Sequence, residues 1–201
     1  DPATQGEHNI GFAAWVRGSL DAGSLSLALQ ELARRHPMLR ARFRTHDGEP
    51  QQCIDDSLSP AVSEQLVPAD QDEQLRQQVR AAFARPFDLS AGPLLRAHLY
   101  HIGETETVML LAFDHLICDG WSFWQILKEL GEQLAAITGG SDHGVTDQTE
   151  SASYLEFVST QGDWLASPEA LRQKAYWETA LSGQLPVLQF AADLSGSAPA
   201  L

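Results

Sequence analysis

One stretch of this chain gathers side chains suited to proton transfer: Asp114-His115-Leu116-Ile117-Cys118-Asp119-Gly120-Trp121-Ser122. An imidazole such as that of His115 exchanges a proton near neutral pH, so it can act as a base or as a hydrogen-bond partner to a reacting group. Asp119, four residues on, can hold the loop by an ion pair, and Ser122 adds a hydroxyl. A plainer reading stands beside this one. The stretch is then a polar turn in which Asp119 or Ser122 caps a helix. The His-x-x-x-Asp spacing alone does not choose between them, because so short a pattern arises often by chance.

The flanking residues say why the stretch is well placed. Val108-Met109-Leu110-Leu111-Ala112-Phe113 is an apolar run that reads as a buried strand. Phe123-Trp124-Gln125-Ile126-Leu127-Lys128-Glu129-Leu130 switches to helical spacing, and the pattern predicts a helix over 122–137. A rigid strand that ends in an exposed loop is a common way to present functional side chains. Upstream, a strand is expected from Ile10 and a helix from Asp21 or Ser24, with Leu25, Leu29 and Leu32 on one face and an end near His36-Pro37. Leu39 to Arg44 alternates like a half-buried strand, and Asp47-Gly48 marks a hairpin. Residues 55–70 read as a polar connection, 71–84 as a helix and 94–102 as a strand. Helices are also expected over 154–165 and 168–181. The stretch 138–153 is expected to be a flexible surface loop, and 185–201 an extended segment.

Composition narrows the function. The 201 residues are 43% hydrophobic, enough for one domain or one large lobe with a core. The net charge of −14, from 13 basic and 27 acidic residues, opposes binding to nucleic acid or to an anionic membrane. The densest basic stretch runs through Arg34, Arg35, Arg40, Arg42 and Arg44. No apolar run approaches the roughly 18 residues that span a bilayer. Cys53 and Cys118 are too far apart and too few for a disulfide framework or a zinc site, which fits a reducing cytoplasm. Cys118 reads as a packed apolar residue. The scattered histidines lack metal-ligand spacing, so no metal is expected.

The loop and its flanks resemble nonribosomal peptide synthetase condensation domains, which belong to the chloramphenicol acetyltransferase-like superfamily. Asp114 to Gly120 is similar to their H-H-x-x-x-D-G signature, with Asp114 in the first His position and with Trp121 and Ser122 extending it. Arg35-His36-Pro37-Met38-Leu39-Arg40-Ala41-Arg42-Phe43 is similar to R-H-E-x-L-R-T-x-F, with Pro37 for Glu and Ala41 for Thr. Pro86-Phe87-Asp88-Leu89 and Pro93-Leu94-Leu95-Arg96 match a P-F-D-L-x-x-x-P-L-x-R segment, and Tyr176-Trp177 with Leu181 and Gly183 a Y-W-x-x-x-L-x-G segment. The resemblance covers about residues 9–195. It implies a mixed-sheet α/β sandwich of the chloramphenicol acetyltransferase type, with residues 1–201 as its N-terminal lobe. The opening helix and the C-terminal lobe would lie outside this chain.

The reaction so implied is attack of an aminoacyl amine on an acyl or peptidyl thioester. Both substrates hang from phosphopantetheine arms of donor and acceptor carrier proteins beside adjacent synthetase domains. No cofactor binds the chain directly. An amine with pKa near 8 is only partly deprotonated at pH 7, so proton removal and orientation both matter. By resemblance, His115 is the catalytic residue and Asp119 pairs with Arg40 to fix the loop. Gly120 would allow close backbone approach or an unusual dihedral, and its N–H could face a developing oxyanion. Asp114 departs from the family. An ionised carboxylate only accepts hydrogen bonds, so it needs N–H donors from the loop or from Arg40. It also creates the D-x-x-x-x-D-x-x-S pattern (Asp114, Asp119, Ser122) of heterocyclisation domains, which is a second reading. A catalytically silent domain that docks a carrier protein or tailoring enzyme is a third. As a single lobe, the chain would fold at least in part but would not catalyse.

Overall fold

The computed structural model describes residues 8–103, 106–139 and 154–186. In chain order the first unit contains β1 (Asn9–Val16), α1 (Ala22–Arg35), β2 (Ala41–His46), β3 (Glu49–Ile54), β4 (Ala61–Val67), α2 (Asp72–Ala84), β5 (Leu95–Ile102), β6 (Glu106–Asp114) and α3 (Gly120–Gly139). The second unit holds α4 (Tyr154–Leu165) and α5 (Pro168–Ala180).

A four-stranded mixed sheet, in the order β1-β6-β5-β4, organises the first unit. β6 is antiparallel to both its neighbours, and β4 runs parallel to β5. β6 is central and its residues from Thr107 to Asp114 are all buried, which is what its unbroken apolar run requires. One face packs Leu95, Ala97, Leu99, Met109, Leu111 and Phe113 against Leu25, Leu29 and Leu32 of α1 and Ile126 and Leu130 of α3. Each of the Leu, Ile, Met and Phe side chains among them contributes roughly 1.5–3 kcal/mol on burial. The other face sets Tyr100, Ile102, Val108 and Leu110 against Leu75, Val79, Ala82 and Phe83 of α2. Helices thus cover both faces.

Local chemistry explains the boundaries. Asp21 caps α1, its carboxylate accepting the Ser24 N–H at 2.8 Å. Asp47 and Gly48 both take positive φ (52° and 84°), as the tight turn between β2 and β3 demands. A side chain at Gly11 on β1 would run into the carbonyl oxygen of Leu111 on β6, so only glycine lets these strands meet there. One turn of 3-10 helix over Pro37–Arg40 joins α1 to β2, where the sequence suggested that the strand already began at Leu39.

Other expectations need correction. Residues 55–70 are not merely a connection, because they contain β4. The prolines that flank it (Pro60 and Pro68) and its exposed Leu66 disguise an edge strand. The helix after the loop is longer than the spacing implied, running from Gly120 to Gly139. The expected loop therefore starts no earlier than 140, and 140–153 lies outside the described residues, as does 187–201 of the expected extended segment. α4 and α5 form a unit of their own. Ser167 caps α5 by accepting the Ala170 N–H at 3.2 Å.

Candidate active site

β6 delivers the loop and α3 leaves it, and both ends are fastened by backbone. The Asp114 N–H donates to the Leu94 carbonyl at 3.0 Å, and the His115 N–H donates to the His8 carbonyl at 3.0 Å. The loop closes on itself through the Ile117 N–H to the Asp114 carbonyl, at 3.1 Å. Ile117 and Cys118 point into the core as a plug. His115 and Leu116 are left exposed between these anchors.

His115 is thus presented on a fixed backbone. Among the described residues its imidazole has no hydrogen-bond or ion-pair partner. Asp114 is 4% exposed, and its Oδ1 accepts the Leu116 N–H at 3.0 Å. The loop backbone, not Arg40, supplies its donor. Asp119 is exposed and caps α3: its Oδ1 accepts the Ser122 N–H at 2.8 Å, and its carbonyl accepts the Phe123 N–H at 2.8 Å. The Ser122 backbone donor, with its hydroxyl behind it, holds the Asp119 carboxyl below the usual range.

The expected Arg40–Asp119 ion pair is not formed. The Arg40 Nε donates to the Ala33 carbonyl at 2.8 Å near the end of α1, and its Nη1 pairs with Asp56. Arg40 belongs to the turn straight after α1, where unsatisfied helix carbonyls attract a cation. Asp119 belongs at the opposite kind of end, a helix N-terminus with unsatisfied N–H groups. Each charge is drawn to the terminus that complements it. The wider basic stretch is engaged locally: Arg34 and Arg35 share Glu31, Arg42 pairs with Asp55 at 2.6 Å, and Arg44 donates to the Ser90 carbonyl. Glu31 is held down to about 2, chiefly by its hydrogen bond from Arg34.

Gly120 gives neither of the reasons proposed for a glycine. Its φ is not positive, and a side chain there would meet nothing within 4 Å. It is the first residue of α3. Trp121 is 87% exposed and Trp124 68% exposed, flanking Phe123, which packs edge-on to Phe12 and Phe113. Burial, and secondarily the charge of Asp119, pushes the Cys118 thiol up to about 12. No thiolate is available beside His115.

Two supporting groups escaped the sequence reading. Asn9 donates to the carbonyls of Phe83 and Arg85 at 2.6 and 3.0 Å, and Arg96 also donates to the Arg85 carbonyl. They hold the end of α2 against the sheet rows next to Asp114. Burial, then the charge of Arg85, lowers Arg96 to about 10, and its guanidinium lies 3.8 Å from the Phe87 ring centre. The other group is Glu129, buried on α3, whose Oε2 meets His36 Nε2 at 2.7 Å while its Oε1 accepts from Gln125 at 3.0 Å. The signal was legible: a carboxylate on the inward face set by Ile126 and Leu130. Among the described residues no cluster of His, Cys, Asp and Glu could hold a metal ion.

A fixed, solvent-facing imidazole is equipped to move a proton or hold a hydrogen bond for groups that arrive from outside, and the buried Cys118 is not a ready nucleophile for it.

Comparison with known proteins gives the family and the fold. The family model described as "Condensation domain" matches residues 4–200. Tyrocidine synthase 3 of Brevibacillus parabrevis is 30% identical over 186 residues, covering 92% of this chain and 3% of that protein. Phosphinothricin tripeptide synthetase PhsC of Streptomyces viridochromogenes is 34% identical over 195 residues, covering 92% of this chain and 17% of that protein. The chain therefore spans a small part of the curated relatives. Among solved structures, the starter condensation domain of rhizomide synthetase matches with TM-score 0.75 at 19% identity, over 89% of this chain and 43% of that one. The epimerization domain from the third module of tyrocidine synthetase B matches with TM-score 0.77 at 18% identity, over 92% of this chain and 42% of that one. At such identities the structures show the fold alone: the mixed α/β sandwich of the chloramphenicol acetyltransferase type.

Proposed function

The chain belongs to the condensation-domain family, and from that premise we propose that it supplies the His115-bearing lobe of a two-lobed domain that forms amide bonds in nonribosomal peptide synthesis. In this reading a carrier-bound acyl or peptidyl thioester is the donor and the amine of a carrier-bound aminoacyl group is the acceptor. The amine attacks the thioester carbonyl, the C–N bond forms, the C–S bond breaks and the donor's phosphopantetheine leaves as a thiol. His115 receives the amine proton or holds the amine by a hydrogen bond as it attacks.

The observation that carries the reading is the exposed imidazole of His115, without a partner among the described residues, on a loop pinned at both ends within the motif that matches the family. The buried Cys118 supports direct attack over a covalent relay. Asp114 and Asp119 each accept a hydrogen bond from the loop's own backbone, which gives both carboxylates a structural role without ring-forming chemistry.

The partners in this reading are a donor and an acceptor carrier protein and a second lobe that completes the site. The phosphopantetheine belongs to the carriers, and no cofactor is held by the chain. Among the described residues no helix is long and apolar enough to cross a membrane. We place the domain with its synthetase in the cytoplasm.

Incubating the complete synthetase with loaded donor and acceptor carriers, and weighing the products, tests the reading. A linear amide supports it. A product lighter by one further water indicates ring closure, and no product from competent carriers indicates a docking domain.

A further inference from the structure

α3 begins at its Asp119 cap, directly after the loop that carries His115, so the register of this helix on its neighbours is also the register of the loop. The inward face of α3 is apolar at Phe123, Ile126, Leu127, Leu130 and Leu134, packed with α1. Glu129 interrupts it. Its side chain is 8% exposed, and both oxygens are engaged: Oε2 with His36 Nε2 at 2.7 Å, Oε1 with Gln125 at 3.0 Å. Burial opposes its ionisation, yet the hydrogen bonds from His36 and Gln125 and the charges of His36 and Arg35 outweigh burial and hold the carboxyl low.

His36 is itself fixed. Its N–H closes α1 on the Leu32 carbonyl at 2.8 Å, and it opens the turn that carries Arg40. A carboxylate buried against a polar partner is poor evidence for stability, because well-packed apolar residues often serve as well or better. What such a pair can give is uniqueness. An apolar ridge can settle in more than one register, whereas Glu129 meets His36 at the end of α1 in only one; the Gln125 bond lies within α3 and orients the carboxylate for that contact.

We propose that Glu129, held by His36, is a positioning residue for His115: it locks α3 in the register that sets the loop. It acts at a distance, about 15 Å along the helix from Asp119 at 1.5 Å per residue, and touches no substrate. This rests on the proposed function, since its rate effect is read through amide formation.

The test compares Glu129→Leu with Glu129→Gln in the complete synthetase. Leucine suits the apolar face but loses the anchor; glutamine keeps one acceptor oxygen for His36 Nε2 without the charge, and its NH2 is met if the Gln125 amide turns its oxygen toward it. The proposal expects Glu129→Leu to melt within a few degrees of the parent, to lose about tenfold in kcat with the acceptor KM unchanged, and to exchange the amides of 115–123 faster. Glu129→Gln should stay within about twofold of the parent in kcat. A folded Glu129→Leu with parental kcat and parental exchange overturns it. Should Glu129→Leu not fold, Glu129→Gln decides alone, and a tenfold loss there overturns it. If the parent itself makes no amide, the functional reading fails, and the exchange rates of 115–123 still judge the anchor.

Discussion

The Ser122 N–H donates to Asp119 Oδ1 at 2.8 Å, so the loop's second carboxylate is spent on the first turn of α3. An N-cap of this kind is worth about 1 kcal/mol. Asp119→Ala should lower stability by roughly that amount, and Asp119→Ser should recover most of it; thermal melts of the two variants check this. A double-mutant cycle between Arg40 and Asp119 should give a coupling near zero, because Arg40 spends its donors on Ala33 and Asp56.

Asp114 should behave differently from Asp119. It is buried, and its oxygen satisfies the Leu116 N–H. Asp114→Ala leaves that donor without a partner and should cost about 1–3 kcal/mol. Asp114→Asn keeps an acceptor oxygen and should cost much less. Denaturant titration of both variants would show the order, and equal losses would mean that the hydrogen bond is not what Asp114 supplies.

Acid should destabilise the fold in a defined window. Asp21, Asp55, Asp88 and Asp119 are each held low, first by hydrogen bonds from a serine two or three residues on, and Glu31 lies at about 2. Unfolded carboxyls titrate near 4. Between those values the unfolded chain binds more protons, so stability is full above about pH 4 and falls as pH drops toward about 2. A melting temperature that stayed level from pH 5 to pH 2.5 would contradict these assignments.

The two cysteines should react unequally. Cys118 is buried with its thiol pushed up to about 12, whereas Cys53 is half-buried on β3. Alkylation of the native protein, read by mass, should label Cys53 first and Cys118 only as the chain unfolds.

Much of this was legible before any coordinates. The run from Val108 to Phe113 became the central strand because a strand buried on both faces must be apolar throughout. Leu25, Leu29 and Leu32, read as one helical face, all lie in the core. β4 was hidden because an edge strand tolerates prolines at its ends, and this one exposes most of its side chains, so no alternation marks it. At the candidate site, the loop and its exposed histidine could be read from motif and spacing. The partner of Asp119 could not, because an ion pair inferred from a family pattern competes with the local pull of a helix N-terminus. Within 2.8 Å the backbone won.

The central claim is that His115 handles the proton of the attacking amine. The most direct measurement is single-turnover amide formation by the complete synthetase with preloaded carriers, comparing the parent with His115→Ala. The side chain is exposed and unpartnered among the described residues, so the variant should fold and melt like the parent. The account predicts a rate loss of roughly 10²–10⁴-fold, the usual worth of a general base. A folded His115→Ala variant that forms the amide at the parental rate would contradict it.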